Sequence, residues 1–147
     1  MLPDPWLVFS IDNLVDAMPP GIIDFPDDGA VVVGDAFRAL ESAWMAGIAA
    51  TALAGANVIV DDVFLSGADS QRRWRDAFAG RLDVRWVGVR CAAEVAAARE
   101  RARGDRTAGM AASQAELVHQ GVVYDLVVDT AETDTPACAR IIAARLG

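Results

Sequence analysis

Two stretches of acid and one of base carry residue types and spacings that can do chemistry in this 147-residue chain. Asp61 and Asp62 stand in tandem after the apolar run "VIV", and Asp12 follows another apolar run, "WLVFSI". "RERARGDRTAGMA" (99–111) gathers Arg99, Arg101, Arg103 and Arg106 beside Gly104 and Gly109. Carboxylates at the end of a sheet hold magnesium through one or two acidic groups plus waters and phosphate oxygens, or take a proton from a substrate hydroxyl. Arginines on a helix end and its following loop neutralise charge on a transferring phosphoryl group. Other readings of the same letters stand beside these. An aspartate at a strand end also caps the next helix or turn. Arginines interleaved with Glu100 and Asp105 also describe a salt-bridged, solvated helix face. A tandem pair exceeds what a cap needs, and the two glycines let the arginine segment bend as a lid does. Asp61 and Asp62 are therefore candidates for magnesium or for an acceptor, unranked, and the metal itself is unknown.

Composition removes whole classes of function. The formal charge is −8 and the pI near 4.5, which argues against nucleic acid, whose phosphates need a basic face. All 13 basic residues are arginine, so the chain supplies no Schiff-base lysine and no phosphate-binding lysine. One histidine, His119 in "ELVHQG", rules against a multi-histidine metal site and reads as a solvated or capping residue at a helix end. Cys91 and Cys138 fit neither a disulfide framework nor a zinc site, and Cys91 reads as a small core residue. No apolar run approaches the roughly 20 residues that cross a bilayer, and Met1 opens no signal-peptide pattern, so a cytoplasmic location without membrane contact is expected. "GDRTAG" has the spacing of a phosphate-binding loop, but Met110 and Ala111 stand where Lys and Ser or Thr belong, and a helix precedes it.

The elements that must position these groups alternate. Strands are predicted at "WLVFSI" (6–11), "NVIVDDV" (57–63), "LDVRWVGV" (82–89) and "YDLVVDT" (124–130). Helical periods fill 35–56, 68–80, 92–104, 109–121 and 133–147, with Asp35 placed to cap the first and Gly55 to end it. The stretch 18–35 reads as a loop, with a short strand at "AVVV". Strands apolar on both faces and separated by helices describe a parallel sheet covered on each side, in one domain over 1–147. Ligands of such sheets sit beyond the carboxyl ends of the strands, where the runs finish in Asp12, Asp61 with Asp62, Arg90, and Asp129 with Thr130. Arg90 reads equally well as structural.

The blocks "LPDPWLVFSIDNLVDAMP", "DAFRALESAW", "VIVDDVF", "WVGVRC", "RERARGDRTAGMA" and "VHQGVVYDLVVDT" together resemble the chloramphenicol phosphotransferase family, small kinases of the P-loop class, from about Leu2 to Thr130. The resemblance implies a three-layer α/β parallel sheet of the P-loop kinase type. It implies transfer of the ATP γ-phosphate to a primary hydroxyl of chloramphenicol, with ATP and Mg2+ as cofactors. Asp12 in "SIDNL" falls on the family's proposed base, and Arg103 and Arg106 in "RGDR" fall on lid arginines that approach the phosphates. Family members carry a strand and a "GxxxxGKS" loop upstream of "LPDPW", and this chain has neither. Little or no kinase activity is therefore expected of it as written. With strand order 2-3-1-4-5 the missing strand is the central one. The runs 57–63 and 82–89 then either close on each other or leave a gap, and open edges invite homo-oligomers. Two other readings stay open: a degenerate, non-catalytic protein that binds a small molecule or a partner, and a kinase for another small alcohol selected by the loop "MPPGIIDFP" (18–26).

Overall fold

In a computed structural model of the chain, residues 4–26, 30–103 and 109–145 are described. Strand β1 (Trp6–Ser10) ends one residue earlier than its apolar run, because Ser10 caps a helix, α1 (Ile11–Ala17), where the sequence reading assigned no element between the strand at 6–11 and the loop at 18–35. Ser10 Oγ accepts the Asp12 N–H at 3.2 Å, and Asn13 Oδ1 accepts the Ser10 N–H at 3.0 Å. This reciprocal cap, with Leu14 buried, is enough to hold two turns. The expected loop folds back on itself as a hairpin, β2 (Ile23–Asp24) antiparallel to β3 (Val32–Val33). Helix α2 (Asp35–Leu53) follows, and here the cap differs from expectation. Gly34 is the capping residue with no side-chain bond, and Asp35 is the first helical residue.

Strand β4 (Asn57–Asp61), helix α3 (Ala68–Phe78), strand β5 (Val87–Arg90), helices α4 (Ala93–Arg103) and α5 (Met110–Leu117), strand β6 (Leu126–Asp129) and helix α6 (Thr135–Ala143) complete the chain. The Asp134 carboxylate caps α6 by accepting the Ala137 N–H at 2.7 Å, with Pro136 in the first turn. The architecture is α/β, with two parallel strand pairs and six helices among the described residues. β1 pairs with β4 from Trp6 opposite Asn57 to Ser10 opposite Asp61, and β5 pairs with β6 from Val87 opposite Leu126 to Arg90 opposite Asp129. Among the described residues β4 and β5 do not pair, so of the two outcomes expected for these runs the gap is the one formed. The run 82–86 shows why its strand begins late. Leu82, Val84 and Trp86 alternate into the core as an extended chain would, but among the described residues no strand pairs with 82–85, and Trp86 meets the start of β6 by accepting the Asp125 N–H at 2.8 Å.

One face of the β1–β4 pair is covered over most of its length, with Leu7 at its edge exposed. Met45, Ile48 and Ala49 of α2 and Trp74 and Phe78 of α3 form a buried cluster against Phe9, Val58 and Val60. Trp44 meets Trp74 edge-on at 5.5 Å, and Phe78 lies 5.3 Å from Trp74 and 6.4 Å from Trp86. The opposite face is open: Val8 is 65% exposed and its register partner Ile59 is exposed too. The second strand pair is tied to the first through α3. The buried Gln71 side chain gives its Nε2 hydrogen to Val123 O at 2.7 Å and accepts the Val123 N–H at 3.1 Å. Replacing Gln71 by Ala leaves both backbone groups unmatched, and urea unfolding should show a loss of about 2–3 kcal/mol. Val8→Ser on the open face should change stability by less than about 0.5 kcal/mol. Equal effects at the two sites would contradict this assignment of the core.

Candidate active site

β1 and β4 run side by side with Ser10 opposite Asp61, so the residues that follow them emerge together. The α1 cap turns Ile11 and Asp12 over this edge, and the β2–β3 hairpin and the first turns of α2 close the other side. The result is a cavity of about 400 Å3. Its walls are apolar, built from Ile11, Val15, Ile23, Phe25, Val33, Phe37 and Leu65, and its polar lining comprises Asp12, Asp16, Arg38, Glu41, Asp62, Ser70, Arg73 and Gln114. Such a cavity suits a small amphipathic ligand held by a few directed hydrogen bonds.

The polar groups are ordered by one buried acid. Glu41 is 5% exposed, and Arg38 Nη1 reaches both its oxygens, at 3.0 and 2.9 Å. Arg73 Nε lies 3.1 Å from Glu41 Oε2. The same arginines reach onward, Arg38 Nη2 to Ser66 Oγ at 3.3 Å and Arg73 Nη2 to Ser70 Oγ at 3.0 Å. A buried carboxylate between two guanidinium groups keeps its charge matched. Asp62 has a different environment. Its Oδ2 accepts the Trp74 Nε1–H at 2.6 Å, so the buried indole finds its acceptor at the cavity lining. Burial pushes the Asp62 carboxyl up from 3.8 to about 6, against the weaker pull of the Trp74 and Val63 hydrogen bonds. Glu41 adds to the rise and Arg73 opposes it.

The arginine segment is not a uniform solvated face. Arg99 gives its Nη2 hydrogen to Thr130 O at 2.7 Å and its Nη1 hydrogen to Thr130 Oγ1 at 3.2 Å, which fastens α4 to the end of β6. Glu100 is buried and accepts the backbone N–H groups of Gly109 and Ala111, both at 2.8 Å, holding the start of α5 against α4. Arg103, Arg99 and Glu100 line a second cavity of about 220 Å3 with Cys91, Met110 and Gln114. Arg106 lies outside the described residues. Met110 and Gln114 line both cavities, so the two adjoin across α5.

The structure thus brings Asp12 and Asp62 to one cavity and places Arg103 in its neighbour. Asp61 is exposed and does not line either cavity. Asp129 is engaged locally, its Oδ1 accepting the Ala131 N–H at 2.8 Å. Cys91 is not a core residue: it is partly buried, with Arg99 Nη1 3.6 Å from its sulfur, and Cys138 is the buried one. His119 is partly buried and packs on Tyr124, with Nδ1 and the phenol oxygen 2.6 Å apart. Burial first, then the Arg90 charge, holds the imidazole below its usual value. The residues that sequence reasoning missed are Glu41, Arg38, Arg73 and Ser70. Glu41 had left a signal: at 41 it interrupts the apolar stripe of Phe37, Met45 and Ile48 on the buried face of α2.

Among the described residues no three His, Cys, Asp or Glu side chains cluster as metal ligands. Of the doublet, Asp62 is turned to an indole donor, and Asp61 has the solvation that a hydrated magnesium ion keeps but lines neither cavity. These residues do not by themselves build a magnesium site, and no chemical step is derived through the ion. No helix among the described residues is long and apolar enough to cross a membrane. Comparison with protein families matches the chain over residues 1–147 to the family described as chloramphenicol phosphotransferase-like protein. A search of curated proteins found no match.

The Asp62 carboxyl gives the fold a pH signature. Between its ordinary value of 3.8 and about 6, the folded chain holds a proton that the unfolded chain has released. The contribution to stability is therefore full below about pH 4 and falls as pH rises to about 6, by up to about 3 kcal/mol. Urea unfolding of wild type and Asp62→Asn across pH 4–7 should show the wild type losing ground to the variant over that window. A pH-independent difference would contradict the burial assigned to this carboxyl.

Proposed function

Because the chain belongs to the chloramphenicol phosphotransferase-like family, we propose that its adjoining cavities are the acceptor and phosphate halves of one site for phosphoryl transfer from ATP to a small alcohol, with chloramphenicol as the acceptor. The observation that carries this reading is the sharing of Met110 and Gln114 by a larger, apolar-walled cavity that contains Asp12 and a smaller one that contains Arg99 and Arg103. In the proposed step Asp12 takes the proton of the acceptor's primary hydroxyl as its oxygen forms a bond to the γ-phosphorus and the bond to the ADP oxygen breaks. Arg103, with Arg106 beyond it in sequence, neutralises charge on the phosphoryl oxygens. Magnesium bound with ATP would supply further charge stabilisation.

The reading also proposes a three-layer sheet of the P-loop kinase type, with a strand seated between β4 and β5 and followed by a phosphate-binding loop. What supports it is the unpaired state of both edges and the open apolar face at Val8, Ile59 and Val127. The 147 residues contain no lysine and no "GxxxxGK[ST]" sequence, which favours binding without rapid transfer by this chain alone.

Calorimetry with the chain should show saturable binding of chloramphenicol, and no binding would overturn the acceptor assignment. In-frame coding sequence for a "GxxxxGK[ST]" loop ahead of Met1 is expected. Its absence would favour a non-catalytic binding protein. In the protein so extended, Asp12→Asn should lower kcat by about 100-fold or more while nucleotide affinity is retained. Arg103→Ala should reduce kcat more than acceptor affinity. Wild-type turnover in either variant would remove that residue from the mechanism.

A further inference from the structure

Two helices supply the walls of the smaller cavity: Arg99, Glu100 and Arg103 come from α4, and Met110, Ala111 and Gln114 from α5. Helix α5 begins without a cap of its own. Gly109 stands at the capping position with φ +92°, in the left-handed region that favours glycine, and offers no side chain to the N–H groups of the first turn. Glu100 takes that role from α4. It is 5% exposed, and its two oxygens accept the Gly109 and Ala111 N–H groups, each at 2.8 Å. Among the described residues these are the hydrogen bonds that cross from α4 to the start of α5. A glutamate beside Arg99 and Arg101, with Arg103 three residues on, would ordinarily pair along its own helix. Here it does not: among the described residues the ion pairs are made by other acids, and Arg99 is turned to Thr130.

We infer that Glu100 is a positioning residue for phosphoryl transfer: by capping α5 from α4 it fixes the spacing of the two walls, and so the fit of the smaller cavity to a phosphoryl group. This rests on the smaller cavity being the phosphate half of the site. Three physical points support it. The carboxylate faces the N–H groups of a helix start, the end that favours an anion, so its charge is matched without an arginine. Both oxygens are engaged, which ties the wall spacing to the chemistry and length of this side chain. Gln would keep one acceptor and turn an N–H donor onto another, and Asp would fall one methylene short. Met110 and Gln114 lie in the first turns of the helix that Glu100 caps, and they line both cavities, so its hold on α5 reaches the junction between them. A simple counter-charge to the arginines carries the opposite expectation, because removing it would strengthen the attraction of the cavity for an anion.

The sign of one change separates position from charge. Calorimetry of this chain uses two probes, chloramphenicol and its phosphate ester at the primary hydroxyl, which on the proposed reading occupies both cavities. Wild type should bind the ester about ten-fold or more tightly than chloramphenicol. Glu100→Gln should weaken ester binding about ten-fold, although it removes a negative charge, while chloramphenicol binding changes by less than about three-fold. Glu100→Asp, which keeps the charge and loses the reach, should weaken ester binding as well. Unchanged or tighter ester binding by folded Glu100→Gln, equal weakening of the two probes, or wild-type ester binding by Glu100→Asp would overturn the inference. If neither variant folds, amide hydrogen exchange of wild type still decides. The Gly109 and Ala111 N–H groups should exchange more slowly with the ester bound than with chloramphenicol bound, and equal exchange would overturn it. An ester that binds wild type no more tightly than chloramphenicol would instead overturn the reading of the smaller cavity on which the inference stands.

Discussion

A buried indole N–H must find an acceptor, and Trp74 finds its in the Asp62 carboxyl, 2.6 Å away. The bond joins two parts of the molecule. On one side is the buried apolar cluster where α2 and α3 meet through Met45, Ile48, Trp74 and Phe78. On the other is a cavity lined with charge. Because Trp74 is fixed by its aromatic neighbours, Asp62 inherits a fixed direction, as a side chain on a loop after a strand would not on its own. The Glu41 ion pairs do the same for Arg38 and Arg73, from the same face of α2 that packs the core. Stability and site geometry therefore share residues here, and a change to the core is felt as a change in the site.

The second constraint is an unfinished sheet. Parallel strands are ordinarily covered on both faces and paired on both edges. β4 and β5 each keep an edge unpaired among the described residues, and apolar side chains lie open on the face away from α2 and α3. What keeps the halves in place is not a ladder but a pair of side-chain bonds, Gln71 to both backbone groups of Val123, with the Ala68 N–H donating to Gln120 O at 2.9 Å beside them. The α4–α5 pair is held in a comparable way, by the buried Glu100 carboxylate on the N–H groups of Gly109 and Ala111. Side chains thus replace sheet hydrogen bonds at the joints where the fold has none.

Much of this was legible in the letters. Four apolar runs and the helical periods between them identify the parallel pairs and most of the helices, and the "TDTP" start of α6 is realised as a capped first turn. The doublet Asp61–Asp62 was legible as more than a cap, but not the difference between its members. That depends on the indole of Trp74, twelve residues away and invisible to local pattern. Helix α1 was hidden because Ser10 and Asn13 make their cap by a mutual bond directly after a strand, with no Pro or Gly to mark the boundary. Glu41 was hidden for the opposite reason. Its period places it on the buried face, where a charge is read as a break in the stripe unless its partners, Arg38 on the same helix and Arg73 on another, are already known. Within the arginine run, Arg99 fastens α4 to the end of β6, and Arg103 lines a cavity.

The coupling of core to cavity can be observed at one proton. In a 15N-labelled sample the Trp74 indole N–H resonance, assigned by its loss in Trp74→Phe, should lie downfield of the other tryptophans and titrate with a midpoint near pH 6, the value set for Asp62 by its burial. That titration should vanish in Asp62→Asn. An indole resonance that is insensitive to pH, or that follows an ordinary carboxylate near pH 4, would show that the bond is not made and that the core does not orient the site.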